Sequence, residues 1–446
     1  MAFAFAGAVL AASLAAAVAV AAHAVEFGAQ AGQWVYPYVD VPDARLAAVA
    51  VLGGALAAAL HELGRRHVET RPAPIVGVAL VVGVGVQVGL RALYRQPMSA
   101  VVTSDVVNSF YGAAGRFRPL ELLRDFGRIS TQLPLHARVN MPGKILFYHL
   151  LRALSADPAT LALLVVVASS LVGVLLYAVV AGLTGSRALG LDAMTLWMIV
   201  PSKVGFLPML NVVSPLPAMA AVWCLVRFLD WPSPWLAVGA GVLAYLTLFF
   251  DPLALWVGVV FAPTIAWAVV AGRVRASRAA VLCLLAAATL VATDVAVWAE
   301  TGFDAWTRLG DMVGLVREFN ETWHRPYDVW LTANVKDVVL ALGPAMSIAF
   351  VTSCALVVGA AAREPRALGA PGPIVVLMSL AVLGLLAGLC LDRGEVARLW
   401  IFLDAPIVVA VAWGLEEVGG WSRPVVVGAT FGWAALTTVL VGYCVV

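Results

Sequence analysis

Charge is what this chain has least of. Asp, Glu, Lys and Arg make up 12% of its 446 residues, and only Lys144, Lys203 and Lys336 are lysines. Soluble domains carry about 25% charged residues. A water-soluble core is therefore excluded for a chain that is 62% hydrophobic with a mean hydropathy of +0.95. A net charge of +2, with no basic run and no aromatic-basic face, excludes nucleic acid as a partner. Cysteine is equally sparse: Cys224, Cys283, Cys354, Cys390 and Cys444 sit in or beside apolar stretches without CxxC spacing. That excludes a disulfide framework and a thiolate metal site, and leaves them as small apolar fillers. There is no HExxH, paired DxD, Walker loop, GxGxxG or GxSxG in supporting context. No cofactor is expected, and a divalent metal has no support in the sequence.

What is present is apolar sequence in runs of membrane-spanning length, about 20 residues each. Candidate spans are 2–24, 45–62, 74–91, 159–183, 188–200, 210–228, 235–250, 253–272, 279–299, 335–361, 372–391, 398–414 and 424–444, of which 188–200 and 235–250 are short. They lack the polar–apolar alternation of barrel strands, so helices are predicted, each satisfying its own backbone in lipid. The expectation is an all-α integral membrane protein of about 11–13 transmembrane helices, with residues 1–446 forming one polytopic domain. The first run ends in Ala22-His23-Ala24, a signal-peptidase-like site, but has no positive n-region and exceeds a usual h-region in length.

Basic residues in short loops set the orientation. His61 to Arg71, Arg273 to Arg278, and Arg363 to Arg366 are placed in the cytoplasm. The same count places 25–44, 92–158, 201–209, 251–252, 300–334 and 392–397 outside, with all three lysines on the outer face. The large outer loop 92–158 holds two amphipathic stretches, Pro119 to Ile129 and Lys144 to Leu154, which suit helices lying in the membrane interface.

Four polar clusters fall on that outer side. Asp105, in Thr103 to Tyr111, could deprotonate a hydroxyl or serve as a helix N-cap, and the two roles are compatible. His136, Arg138, Asn140 and Lys144 surround a Pro142-Gly143 turn and form either a grip for a lipid phosphate or a solvated turn. Asp392-Arg393-Gly394-Glu395 to Arg398 puts four charges in seven residues; Glu395 and Arg398 could pair at i, i+3, and the alternative is a solvated hairpin. A looser set comprises Lys203, Asp251 before Pro252, and the charged residues of 300–334. Asp192, Asp230 and Asp294, in or near spans, receive no functional role.

In the order of these parts the chain resembles the GT-C glycosyltransferases, polytopic enzymes using polyprenyl-phosphate sugars, of actinobacterial type. The matching pieces are Asp105 in the first large outer loop, His136 followed by Pro142-Gly143, and Arg393-Gly-Glu-Val-Ala-Arg-Leu-Trp400 entering a span that continues to Pro406. Asp105 lacks the acidic neighbour many members show, and five residues separate His136 from the Pro-Gly. The resemblance implies interfacial helices in loop 92–158 and inverting transfer of a sugar to a cell-envelope glycan or glycolipid. It gives Asp105 the base role, Lys144, Arg393 and Arg398 the phosphate, and His136 and Asn140 the sugar or acceptor; Arg138, Lys203, Asp251 and Glu395 complete the candidate substrate-binding set. The partners are then a lipid-linked sugar donor, the acceptor and membrane lipids, at the outer face of the plasma membrane. Competing readings are a transporter or lipid flippase, and a non-catalytic membrane subunit that keeps the fold.

Overall fold

A computed structural model of the protein describes residues 2–364 and 369–445. Helix accounts for 79% of it, and among the described residues the only sheet is a two-stranded hairpin, as an all-α chain requires. Ten described helices are long and apolar enough to cross a membrane: Ala2–Ala21, Ala44–Val68, Pro72–Ala92, Pro158–Thr184, Leu210–Asp230, Pro252–Val270, Ala276–Thr301, Pro344–Arg363, Pro371–Leu389 and Ser422–Leu440. The chain is a multi-pass membrane protein. Large apolar side chains such as Val81, Leu52 and Leu284 stand exposed on these helices, an arrangement suited to lipid as solvent.

The other expected spans differ in kind. Residues 188–200 form the 13-residue helix Arg187–Ile199, and 235–250 form the 17-residue helix Pro234–Phe250. Residues 398–414 fall largely in Ile401–Val418, which carries Asp404, Glu416 and Glu417. The run 335–361 is broken: Gly343, at φ +81°, ends Tyr327–Leu342, and Pro344 starts a new helix. Proline cannot continue the ladder and disfavours helical backbone before it. Nor is 61–71 simply a loop, since the helix runs on to Val68 and carries His61 and Arg65. Arg366 lies outside the described residues.

Contacts divide the chain into two compact units. The first comprises Met1–Arg95, Ser170–Phe206 and Arg325–Tyr443. Its centre is Ile401–Val418, almost wholly buried against Arg187–Ile199, Pro344–Arg363 and Pro371–Leu389. Ala44–Val68 and Ser422–Leu440 cross where a Cβ on Gly54 would lie 2.6 Å from the Gly428 carbonyl, the close backbone approach that small residues permit between membrane helices. The hairpin pairs Phe27–Ala29 with Trp34–Tyr36 and rests on Tyr327–Leu342: the Gly28 N–H donates to Asp337 at 2.9 Å and Trp330 Nε1 donates to the Gly32 carbonyl at 3.2 Å.

The second unit comprises Gln96–Ser169, Leu207–His324 and Cys444–Val446. Its 96–157 region is a run of short helices: Met98–Thr103, Phe110–Arg116, Pro119–Arg124, Phe126–Ser130, Leu135–Arg138 and the longer Gly143–Leu154. The amphipathic stretch predicted from Pro119 to Ile129 is thus two helices parted at Asp125, whereas the one predicted from Lys144 is continuous. Gly143–Leu154 buries Lys144, Ile145, Tyr148 and Leu151 on one face and exposes Leu150 and Leu154.

Candidate functional site

In the second unit, Asp105 lies in the turn between Met98–Thr103 and Phe110–Arg116. It is not the cap: Ser104 Oγ accepts the Val107 N–H at 3.2 Å, while the Asp105 carboxylate pairs with Arg116 Nη2 at 3.2 Å. Both side chains of this pair are about half exposed, at 48% and 52%, so the carboxylate remains accessible. Gly112 makes room for it, since a Cβ there would meet Asp105 Oδ1 at 2.6 Å. Behind it, Asn108 Nδ2 donates to the Tyr148 hydroxyl at 2.7 Å. Burial drives that phenol above its usual range, so it stays protonated.

Of the residues expected at the Pro142-Gly143 turn, Asn140 and Lys144 come together through their side chains, with the lysine turned inward. Gly143 packs against backbone, with a Cβ placed only 2.3 Å from the Phe249 carbonyl. This seats Lys144 beside Asp251, where Nζ meets Oδ2 at 2.9 Å with side-chain exposures of 2% and 7%. Asn140 Oδ1 accepts from the same Nζ at 2.9 Å, and Ser214 Oγ donates to the same carboxylate at 2.6 Å. Asp251 Oδ1 also accepts the Leu253 N–H at 3.3 Å, closing the tight turn expected at Pro252. His136 is half-buried, its carbonyl accepting from Asn140 at 2.8 Å, and Arg138 is exposed. Arg308 reaches in to donate to the carbonyls of Arg138 and Asn140. Of this cluster, Lys144 has its charge answered by a carboxylate inside the protein.

In the first unit, the Arg393–Trp400 segment forms a strained turn leading into Val396–Leu399. Cys390, Gly394 and Glu395 all have positive φ, at +45°, +92° and +60°. Left-handed backbone at non-glycine residues persists only when surroundings impose it. Glu395 and Arg398 pair as their spacing predicted. Asp392 Oδ2 accepts from Trp400 Nε1 at 2.9 Å. Arg393 makes no ion pair among the described residues: Nε donates to the Cys390 carbonyl at 3.2 Å, Nη1 to the Arg325 carbonyl at 2.7 Å, and the guanidinium lies 5.7 Å from the Tyr327 ring centroid. Arg325 returns the contact to the Arg393 carbonyl and stacks near Trp34 and Trp330.

Lys203, also in the first unit, is wholly buried on Pro201–Phe206. Its amine donates to Gln87 Oε1 at 2.5 Å and faces the Trp197 ring at 5.4 Å, with no carboxylate in ion-pair reach among the described residues. Burial pushes this amine well below the usual lysine range. Next to it, Ser202 Oγ donates to Asp404 at 2.6 Å.

Asn334 and Ser214 carry no sequence signal, because their partners are far along the chain, whereas Arg325 belongs to the charged set of 300–334. It also passed over Asp192, which contacts His61 at 2.9 Å and pairs with Arg65, with Arg423 at 3.5 Å. Among the described residues no group of three or more His, Cys, Asp or Glu side chains could hold a metal ion. The chain matches no protein-family model and no curated protein, so these clusters must be read from their own geometry.

Proposed function

We propose that the protein is a GT-C-like glycosyltransferase that moves a sugar from a polyprenyl-phosphate donor to an envelope glycan or glycolipid acceptor, at the outer face of the plasma membrane. The observation that carries this reading is Asp105: a half-exposed carboxylate, in the first large outer loop, held by one exposed arginine. Such a group can take the proton of an acceptor hydroxyl. The acceptor oxygen then attacks the anomeric carbon as the carbon–oxygen bond to phosphate breaks, and the lipid phosphate leaves with the bonding electrons. The configuration inverts.

A departing phosphate needs an oriented cation whose charge is not already spent. Lys144 is answered by Asp251 and Arg398 by Glu395. Arg393 keeps its charge, so this reading assigns it to the phosphate. His136 and Asn140 remain candidates for sugar or acceptor contacts.

The test is turnover of a polyprenyl-phosphate sugar by purified protein, wild type beside Asp105→Asn. The expected loss in the variant is about 10²–10⁴-fold, the usual contribution of a general base. Full activity in folded Asp105→Asn would remove the central assignment. Donor binding without turnover by the wild type would indicate a non-catalytic subunit, and net lipid movement without product would indicate a flippase.

A further inference from the structure

The Arg393 turn is held from a distance by one residue that the transfer reading does not use. Asn334 lies on Tyr327–Leu342 and is completely buried. Its Nδ2 donates to the Asp392 carbonyl at 2.7 Å, and its Oδ1 accepts the Gly394 N–H at 3.4 Å. A single carboxamide thus grips the backbone on either side of Arg393. Nδ2 also approaches Cys390 Sγ at 3.8 Å, at the start of the turn.

This grip falls where the backbone is strained, between left-handed Cys390 and the consecutive left-handed pair Gly394 and Glu395. The amide donates to a carbonyl and accepts from an N–H at once; a carboxylate of the same shape would set its oxygen against the Asp392 carbonyl. Bulk at Gly394 is disfavoured, because its φ of +92° strains any L side chain and a Cβ there would meet Arg325 Nη1 and the Trp330 ring, each at 3.0 Å. The turn is therefore fixed by Asn334 on one side and by the Trp330 and Arg325 side chains on another. The Arg393 guanidinium it carries spends its Nε–H and one Nη1–H on carbonyls. With five donors on a guanidinium, and the side chain also hydrogen-bonded to the Cys390 thiol, two remain for an anion.

We propose that Asn334 is a positioning residue for an anion-binding guanidinium at Arg393, and that the anion is a phosphate ester. The proposal rests on the transfer reading for the identity of the ester, a lipid monophosphate. Preorganisation is its physical content: a guanidinium held in place loses less freedom on binding than one on a loose turn.

The experiment is a double-mutant cycle on binding of decaprenyl monophosphate to the purified full-length protein in detergent, with inorganic phosphate as a second probe. Asn334→Ala and Arg393→Gln are each expected to weaken decaprenyl monophosphate binding about tenfold, one hydrogen bond to a charged group being worth that much. Asn334→Ala in the Arg393→Gln background is expected to add nothing, because Asn334 acts through Arg393. Should Asn334→Ala fail to fold, Asn334→Ser, which keeps a small polar group, takes its place in the same cycle.

Additive effects of the two substitutions would overturn the proposal by showing a general structural role. Wild-type affinity in folded Asn334→Ala would overturn it too, and if Arg393→Gln still weakens binding the transfer reading survives. Absence of wild-type binding to decaprenyl monophosphate would overturn the lipid-donor reading, and absence for inorganic phosphate as well would overturn both. Binding of inorganic phosphate alone would overturn the phosphate-ester assignment, and the same cycle run with inorganic phosphate would then support the positioning role if non-additive and overturn it if additive.

Discussion

Lys144 Nζ lies 2.9 Å from Asp251 Oδ2, across 107 residues of sequence and almost out of reach of solvent. A cation so placed stabilises its own fold before it can serve a ligand. Breaking a buried pair from one side costs about 3–5 kcal/mol, because the remaining charge is stranded. Lys144→Met is therefore expected to lower the thermal unfolding midpoint in detergent sharply. A paired Lys144→Met, Asp251→Asn variant is expected to recover part of that loss. A stable Lys144→Met protein would mean that the pair contributes little.

Gly143→Ala tests the backbone approach that seats the lysine. The new methyl would stand 2.3 Å from the Phe249 carbonyl, whose chain cannot yield without moving Asp251. Overpacking of this kind costs about 1–3 kcal/mol. Gly127→Ala is the control, since nothing lies within 4 Å of its Cβ position. It is expected to be neutral or slightly stabilising, as alanine is the better helix former by about 1 kcal/mol. Unfolding curves of the two variants side by side decide the matter.

Asp337 predicts a pH dependence. Burial raises its carboxyl from the usual 3.8 to about 6, against smaller downward pulls from the Gly28 N–H and Lys336. The folded protein then holds this proton more tightly than the unfolded chain does. Its contribution to stability is complete below about pH 4 and is lost as pH rises through about 6. Asp337→Asn is expected to flatten that part of the stability profile, measured as unfolding midpoint against pH. An unchanged slope would show that the carboxyl titrates normally.

Orientation is tested by thiol labelling in a background without the five native cysteines. Gln132→Cys lies in the turn after Phe126–Ser130 and Ser277→Cys in the first turn of Ala276–Thr301, and both positions are exposed. A membrane-impermeant maleimide on intact cells is expected to label the first and spare the second. The opposite pattern would put loop 92–158 in the cytoplasm and remove the proposed outer-face reaction.

The sequence by itself determined the class of molecule and much of its local form. Apolar runs needed no partner to be recognised as spans, because lipid rewards hydropathy residue by residue. Short-range signals were equally legible: the Pro142-Gly143 turn, the helix from there to Leu154, the break at Asp251-Pro252, and the Glu395–Arg398 pair at i, i+3. The 335–361 run misled because Gly343 and Pro344 interrupt it without changing its hydropathy.

Only the tertiary structure decided what each charge is answered by. Nothing near Lys144 in sequence announces Asp251, nothing near Arg393 announces Asn334, and Asp192 meets His61 and Arg65 from one helix and Arg423 from another. In a low-dielectric interior a charge must be paired or hydrogen-bonded. The composition therefore says that partners exist, but which helices become neighbours says who they are.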